Sequence, residues 1–328
     1  MHEAAQRISA ASMTPACGKQ AEAVTGVLLV DKPEGWTSHQ VVDWVRRRLG
    51  VSKTGHTGTL DPFATGLLVV CLGEATRIAE LLTHADKRYV FRMRLGVETD
   101  TLDLTGRVTH VYDGPPVEGA RLRRVVSQMV GSQYQEVPKY SAVKVRGRRL
   151  YEWTRSGCEV EAPPRLVEIY ALEVLDDTWP DVTCRVHCSK GTYVRQLAAD
   201  VGRRLGCGAH VSALRRTDSG PFSVLNALPL DTLEGMRRDG EWKRHVIPLH
   251  AALSHLPALV VDDPVIRNRV RHGQVPESWL DRHAAVVEGH PGPVRLMGPD
   301  NVLLALWWPA APPGERRLKV FSSPEHLT

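Results

Sequence analysis

Asp61 is the one carboxylate in the stretch Thr54-Gly55-His56-Thr57-Gly58-Thr59-Leu60-Asp61-Pro62-Phe63-Ala64-Thr65-Gly66-Leu67-Leu68. Three glycines and a proline exclude a long regular element, so the stretch is a loop of fixed shape. The apolar run Leu67–Leu72 follows at once and reads as a buried strand. A carboxylate at the mouth of such a strand can attack as a nucleophile or stabilise developing positive charge on a sugar. The competing reading is an Asp-Pro turn in which the side chain shapes only the backbone. His56 has no Ser or Cys partner in a nucleophile motif, so base catalysis is not expected of it. A glycosidase would need a second acid of raised pKa, and no motif supplies one.

Two other clusters carry chemical potential. Cys184, His187 and Cys188 invite a metal reading, but in a strand both cysteines face one way and the histidine the other, so core cysteines are expected. Residues 139–155 hold Lys139, Lys144, Arg146, Arg148, Arg149 and Arg155 against Glu152 alone, an excess equal to the whole formal charge of +5. Tyr140, Tyr151 and Trp153 interleave with these cations, which suggests a polyanion contact offering stacking surfaces. The middle, Val145-Arg-Gly-Arg-Arg149, lacks an apolar period and reads as an exposed, flexible loop.

The elements that must position these groups follow from periodicity. Of the 328 residues, 42% are hydrophobic and 24% charged, which is ordinary for a globular chain long enough for a large and a small domain. No apolar run approaches the roughly 18 residues that span a bilayer. Residues 1–24 carry neither a signal-peptide core nor a presequence pattern and are expected to be a disordered extension. Val27–Val30 reads as a strand and Val41, Val42, Val45 and Leu49 as one helix face, capped by Thr37 or Ser38. Arg46–Arg48 form a charged, solvated face of that helix. A helix is expected over Glu74–Leu82 and a half-buried strand over Arg88–Leu95, with Tyr89, Phe91, Met93 and Leu95 facing inward. A helix around Leu122–Met129, strands Leu166–Leu175 and Val182–Cys188, helix Thr192–Leu205 and strand His210–Arg216 complete this half. Beyond about residue 250, strands at Leu256–Val261, Ala285–Glu288, Val294–Met297, Val302–Trp308 and Leu318–Phe321, with one helix at Val265–His272, suggest a small β-barrel. Without regular βαβ alternation, the fold class is α+β.

Gly55-His-Thr-Gly-Thr-Leu-Asp-Pro-Phe-Ala-Thr-Gly-Leu-Leu68 resembles the signature of the TruB family, bacterial tRNA pseudouridine synthases that convert one uridine of the T loop (position 55 of the tRNA). Gly26-Val-Leu-Leu-Val-Asp-Lys-Pro-Glu-Gly-Trp-Thr-Ser-His39, Asp86-Lys-Arg-Tyr89, Leu95-Gly-Val-Glu-Thr-Asp-Thr-Leu-Asp103, Tyr140-Ser-Ala-Val-Lys144 and Gly191-Thr-Tyr-Val-Arg195 also resemble its motifs. They stand in the family's order over roughly residues 25–220. One departure is Val137-Pro138, where the family often has paired prolines.

The resemblance implies a pseudouridine synthase catalytic fold with a mixed, largely antiparallel sheet, plus a small C-terminal PUA-like β-barrel. Residues 25–250 would form the catalytic domain, with 139–155 its basic RNA-contacting segment, and 251–328 the PUA-like domain. Asp61 would be the essential aspartate and Tyr89 the ring against a uracil flipped from its stack. Arg195 would stand beside Asp61 and hold it ionised. Tyr193 and Leu214 would complete the pocket wall, while His56 would insert into the RNA loop. Lys32 would support the loop, and Asp103 would partner Arg195 or backbone. Lys144, Arg146, Arg148 and Arg149 would meet RNA phosphates. The implied partner is the T arm of tRNA, with no cofactor, metal, guide RNA or membrane, for a monomer in the cytoplasm. The alternative is a non-catalytic tRNA-binding or tRNA-folding protein, which would leave the Asp61 loop without a purpose.

Overall fold

A computed structural model describes residues 24–158, 160–287, 290, 292–309 and 318–321. The extension expected over 1–24 lies, except for Val24, outside the described residues. Strand β1 (Gly26–Lys32) leads to helix α1 (Ser38–Arg48), whose Thr37 hydroxyl accepts from the Gln40 N–H while the Gln40 side chain accepts from the Thr37 N–H. This reciprocal cap satisfies donors that the first turn would otherwise leave free. Strands β2 (Thr54–His56) and β3 (Thr65–Leu72) flank the Asp61 loop. The single helix expected over Glu74–Leu82 is instead a 3-10 turn, Gly73–Arg77, and a short α2 (Ala79–Thr83). Three-residue spacing stacks Ala75 and Ile78, both fully buried, on one side of the chain.

Strand β4 (Lys87–Leu95) buries Phe91, Met93 and Leu95 and is followed by the hairpin β5 (Val97–Thr99) and β6 (Val108–Val111). Then come α3 (Gly119–Ser127), β7 (Gly131–Gln135), β8 (Lys144–Val145), β9 (Arg148–Arg149) and α4 (Leu150–Arg155). Strands β10 (Arg165–Asp176) and β11 (Asp181–Cys188) precede α5 (Val194–Leu205), which ends at Gly206 with φ 75°. Strands β12 (Ala209–Ser219), β13 (Phe222–Ser223) and β14 (Leu228–Pro229) are followed by α6 (Leu230–Gly235) and α7 (Leu249–Ala252). The remainder holds β15 (Ala258–Val260), α8 (Pro264–Arg271), α9 (Glu277–Val287), β16 (Val294–Met297), β17 (Leu303–Trp307) and β18 (Leu318–Val320).

Ten strands form one sheet in the order β14-β1-β3-β12-β4-β11-β10-β7, with β2 added to β3 and β13 to β12. Only β1–β14 and β3–β12 pair in parallel, so the sheet is mixed and largely antiparallel. Helices α3 and α5 bury an apolar cluster on β4, β10, β11 and β12, whereas α1 and α6 cover one face of β1 and β3. The other face of β1 and β3 shares a core with Leu253, Met297, Leu303, Leu306 and Phe321 of the C-terminal part. Each such aliphatic side chain contributes about 1.5–3 kcal/mol by leaving water.

That C-terminal part is α+β as well. Its strands run β15-β16-β17-β18, and among the described residues this four-stranded sheet does not close into the expected barrel. The strand expected at 285–288 is, through Val287, the end of α9. Buried Trp279 and half-buried Leu280 begin a helical apolar face one turn after Pro276, and that period overrides the short apolar run.

Strands β3 and β12 meet only at Thr65–Arg215 and Gly66–Arg216, so the two halves of the sheet touch at one point. At Gly66, where φ is +99°, a Cβ would lie 2.3 Å from the Arg216 carbonyl oxygen, which requires glycine for this approach. A cleft of about 310 Å³ opens at the junction, lined in part by Phe63, Thr65, Arg92 and Leu214.

Candidate active site

The Asp61 loop is held from below by polar side chains rather than by regular structure. Ser38, buried at the start of α1, accepts from the Leu60 N–H at 2.8 Å and donates to the Leu60 carbonyl at 3.2 Å. Fully buried Lys32 donates to the carbonyls of Pro33 (2.9 Å), Trp36 (2.6 Å) and Pro62 (3.1 Å). Its three protons therefore all find backbone oxygens. Burial nevertheless pulls its pKa down to about 8, against the upward pull of Asp61. The Gly35 N–H also donates to the Pro62 carbonyl, fastening the loop after β1 to the Asp-Pro step.

Asp61 leaves 34% of its side chain exposed, whereas its partner Arg195 is only 4% exposed. Arg195 lies in the first turn of α5, with Nη2 donating to Asp61 Oδ1 at 3.3 Å and to the Tyr140 carbonyl at 2.9 Å. Its Nε stands 2.9 Å from Asp61 Oδ2 as an ion-pair contact lying off the hydrogen-bond axis. Nη1 donates to the Thr101 carbonyl at 2.9 Å and to Asp103 Oδ2 at 3.4 Å. Asp103, buried, is itself fixed by Thr101 Oγ1 and by the Thr105 N–H and hydroxyl. Two carboxylates and two carbonyls thus surround one guanidinium. Burial raises the Asp61 carboxyl above its usual range; Arg195 opposes this, and Asp103 adds to the rise. Arg195 favours the ionised form and so limits the larger, opposing effect of desolvation.

Tyr89 begins the core face of β4, half-buried, opposite Arg216 on β12. Burial pushes its phenol up, while the charge of Arg216 pulls it down. Leu214, on the same face of β12 two residues before Arg216, packs in the cluster containing Phe63 and lines the cleft with it. His56 Nδ1 accepts from the Gly58 N–H at 3.3 Å, and burial, Arg216 and His39 together push the imidazole down, which favours the neutral ring. Tyr193 caps α5 from outside: its backbone N–H donates to Gln135 Oε1 at 2.8 Å and its carbonyl accepts from Gln135 Nε2 at 3.1 Å. A partly exposed carboxylate is thus held on a buried cation, and Tyr89 packs against the apolar cluster that holds Phe63 and Leu214.

Comparison with known proteins gives this constellation a family. The model of the TruB family pseudouridylate synthase N-terminal domain matches residues 46–194, and that of the tRNA pseudouridylate synthase B C-terminal domain matches residues 195–254. A tRNA pseudouridine synthase B from Syntrophobacter fumaroxidans is 49% identical over 298 residues, covering 90% of this chain and 97% of that protein. The chain belongs to the TruB family. A tRNA pseudouridine synthase B from Geobacillus thermodenitrificans is 45% identical over 305 residues, covering 90% of this chain and 99% of its own. Among solved structures, an H/ACA RNP bound to a substrate RNA containing 2'-deoxyuridine has a TM-score of 0.66 at 27% identity, over 92% of this chain and 85% of that one. A Cbf5-Nop10-Gar1 complex has a TM-score of 0.65 at 29% identity, with the same coverage.

In this TruB-family chain the basic segment is more ordered than its sequence suggests. Lys144-Val145 and Arg148-Arg149 pair as a hairpin, with Arg146 (φ 52°) and Gly147 (φ 80°) at its turn. Two successive positive-φ residues match the right-handed twist of a two-residue hairpin, which explains the glycine. Leu150, 1% exposed, then anchors α4. Arg148 lies over the Trp153 ring at 4.8 Å and Arg155 over Tyr151 at 5.4 Å, so arginines occupy ring faces expected to be open for bases. Lys144 and Arg146 remain exposed. The segment reaches the catalytic centre through the Tyr140 carbonyl on Arg195.

Cys184 and Cys188 are buried in the core, where desolvation pushes both thiols up to about 12, and His187 faces the other way against Tyr170. Two residues of the centre carried no readable signal. Arg216, the last residue of the strand expected at His210–Arg216, is 2% exposed, and Gln135, outside every element expected from the sequence, is 3% exposed. Only a polar residue on the inward phase of a strand could have flagged them.

Proposed function

We propose that this TruB-family pseudouridylate synthase isomerises a uridine in the T loop of tRNA to pseudouridine, with Asp61 as its essential carboxylate. The observation that carries the reading is the Asp61–Arg195 pair, a partly exposed carboxylate held on a buried guanidinium. In the reaction the N1–C1′ bond breaks, the uracil turns, and C5 bonds to C1′. The C5 proton leaves and N1 gains one, so no redox partner is needed. Attack at C1′, stabilisation of positive charge there, and removal of a sugar proton are all tasks for the ionised carboxylate. The target base must leave its stack, and an aromatic ring replaces roughly 1–3 kcal/mol of lost stacking. Tyr89 supplies that ring, Leu214 and Tyr193 the wall, and neutral His56 fills space in the RNA loop. Lys32 and Asp103 hold Asp61 and Arg195 in place. Lys144, Arg146, Arg148 and Arg149 meet phosphates of the T arm. Residues 25–250 form the catalytic domain and 251–328 a PUA-like RNA-binding domain. In this reading the enzyme acts as a monomer in the cytoplasm.

The test is Asp61→Asn, nearly isosteric but unable to act as a carboxylate. Tritium release from a T-arm stem-loop labelled at uridine C5 is expected to fall by a factor on the order of 10³ or more, with binding retained. Release at the unaltered rate would remove Asp61 from the chemistry and favour a binding protein. An anticodon-arm stem-loop converted as fast as the T arm would remove the T-loop assignment.

A further inference from the structure

Arg216 is 2% exposed and forms no ion pair among the described residues. Burying a guanidinium without an acid is costly unless its donors are all satisfied. Its Nε donates to the Leu67 carbonyl at 2.7 Å and its Nη2 donates to the Gly58 carbonyl at 3.2 Å, while Tyr89 stands directly opposite it across the β4–β12 pair. Gly58 belongs to the Asp61 loop and Leu67 to the strand that loop enters. The backbone of Gly66 presses against Arg216 itself, so the guanidinium begins from a point where the sheet halves already touch. A planar fork can hold both acceptors in fixed directions, which a flexible ammonium cannot.

We propose that Arg216 is a positioning residue for the isomerisation: it ties the loop at Gly58 to strand β3 at Leu67, directly beside Tyr89 on β4, so that Asp61 and Tyr89 keep their spacing. The role rests on the proposed function, because it acts through Asp61 and Tyr89 and touches no reacting atom. Its charge also pushes the neighbouring His56, Lys87 and Lys32 toward their neutral forms, after burial has begun that shift.

The experiment measures single-turnover rate and Kd for a T-arm stem-loop in Arg216→Met, Arg216→Lys and Tyr89→Phe, and in the Met and Phe changes combined, with Asp61→Asn in parallel. The rate in Arg216→Met is expected to fall about 10- to 100-fold, with Kd within about threefold, as for a loss of transition-state geometry alone. Arg216→Lys restores the charge but not the fork and is expected to recover less than half of the loss. In the Tyr89→Phe background, removing Arg216 is expected to cost several-fold less than in the unaltered chain, because the two groups act as a unit. Where the Met variant fails to fold, the Lys and Phe changes give the same cycle. Multiplicative rates, or full rescue by lysine, would overturn the proposal and leave Arg216 a core residue. An inactive Asp61→Asn beside a fully active Arg216→Met would sink this inference alone; an active Asp61→Asn would sink the proposed function.

Discussion

The Asp61 loop, 54–66, and the basic hairpin and helix, 139–155, are both glycine-containing, polar and served by several cations, yet they use charge in opposite ways. Around the loop the cations are buried: Lys32, Arg195 and Arg216 are each under 5% exposed and spend their donors on backbone carbonyls and carboxylates. In the basic segment the arginines are exposed, lean on Trp153 and Tyr151, and meet Glu152 at 3.7 Å from Arg148 Nε. Exposed pairs of this kind contribute about 0–1 kcal/mol, so they exchange readily for phosphate oxygens. A buried cation whose every proton is placed has no such freedom, because losing one partner strands a charge. The first arrangement fixes geometry; the second keeps contacts available.

The largest expected break in that contrast is Arg195→Gln. Turnover is expected to fall on the order of 10²-fold, as when one preorganised donor is lost. The acid limb of the pH–rate profile should move to higher pH, because Arg195 lowers the Asp61 pKa and only the ionised carboxylate is active. Arg195→Lys keeps the charge and should leave the limb near its original position at a reduced rate. A limb unmoved in the Gln variant would detach it from Asp61.

Glycine substitutions compare the two regions through stability. Gly66→Ala forces a Cβ into the Arg216 backbone at a positive φ and is expected to cost about 2–4 kcal/mol. Gly147→Ala meets nothing within 4 Å at φ +80° and should cost only about 1–2 kcal/mol. Equal shifts in denaturant midpoint would erase the distinction between a close approach and a plain turn.

A lysine pair makes the same comparison more gently. Lys32→Met takes a donor from three carbonyls, of which only that of Pro62 keeps another in the Gly35 N–H, and is expected to cost about 1–3 kcal/mol. Lys144→Ala, on an exposed hairpin strand, should stay within about 0.5 kcal/mol. Thermal unfolding of the two variants side by side decides it.

The smallest effect on the fold and the sharpest on binding is expected from Lys144→Ala with Arg146→Asn, asparagine being tolerant of the positive φ at that turn. If both cations meet phosphate, the slope of log affinity against log salt should flatten by roughly 1.4–1.8, with preference among sequences unchanged. Arg148→Ala with Arg149→Ala should flatten it too, but with a lower melting temperature, since Arg148 covers Trp153. An unchanged slope in the first double variant would mark the hairpin as a solvated surface.

Much of the fold was legible because its signals are local. The capping box at Thr37, the alternation of Phe91, Met93 and Leu95 and the glycine after α5 each act within a few residues. The hairpin at 144–149 escaped because pairs of two residues carry no period, and α9 escaped because its apolar face starts upstream of the run that resembled a strand. The open four-stranded sheet differs from the expected barrel because strand count does not specify closure; pairing between edges does.

From sequence alone came the Asp61 loop, the residues matched to Tyr89 and Arg195, the basic segment and the α+β class, all features of neighbouring residues or of motifs in order. Tertiary structure alone decided which cations would be buried. Arg216 reaches the Leu67 carbonyl across 149 residues of chain and Gly58 across 158, and Arg195 reaches Asp61 across 134. No local pattern encodes such distances, because burial and pairing are set by where β3, β12 and α5 come together. A side chain's solvation, and with it the ease of ionising Asp61, exists only once they have met.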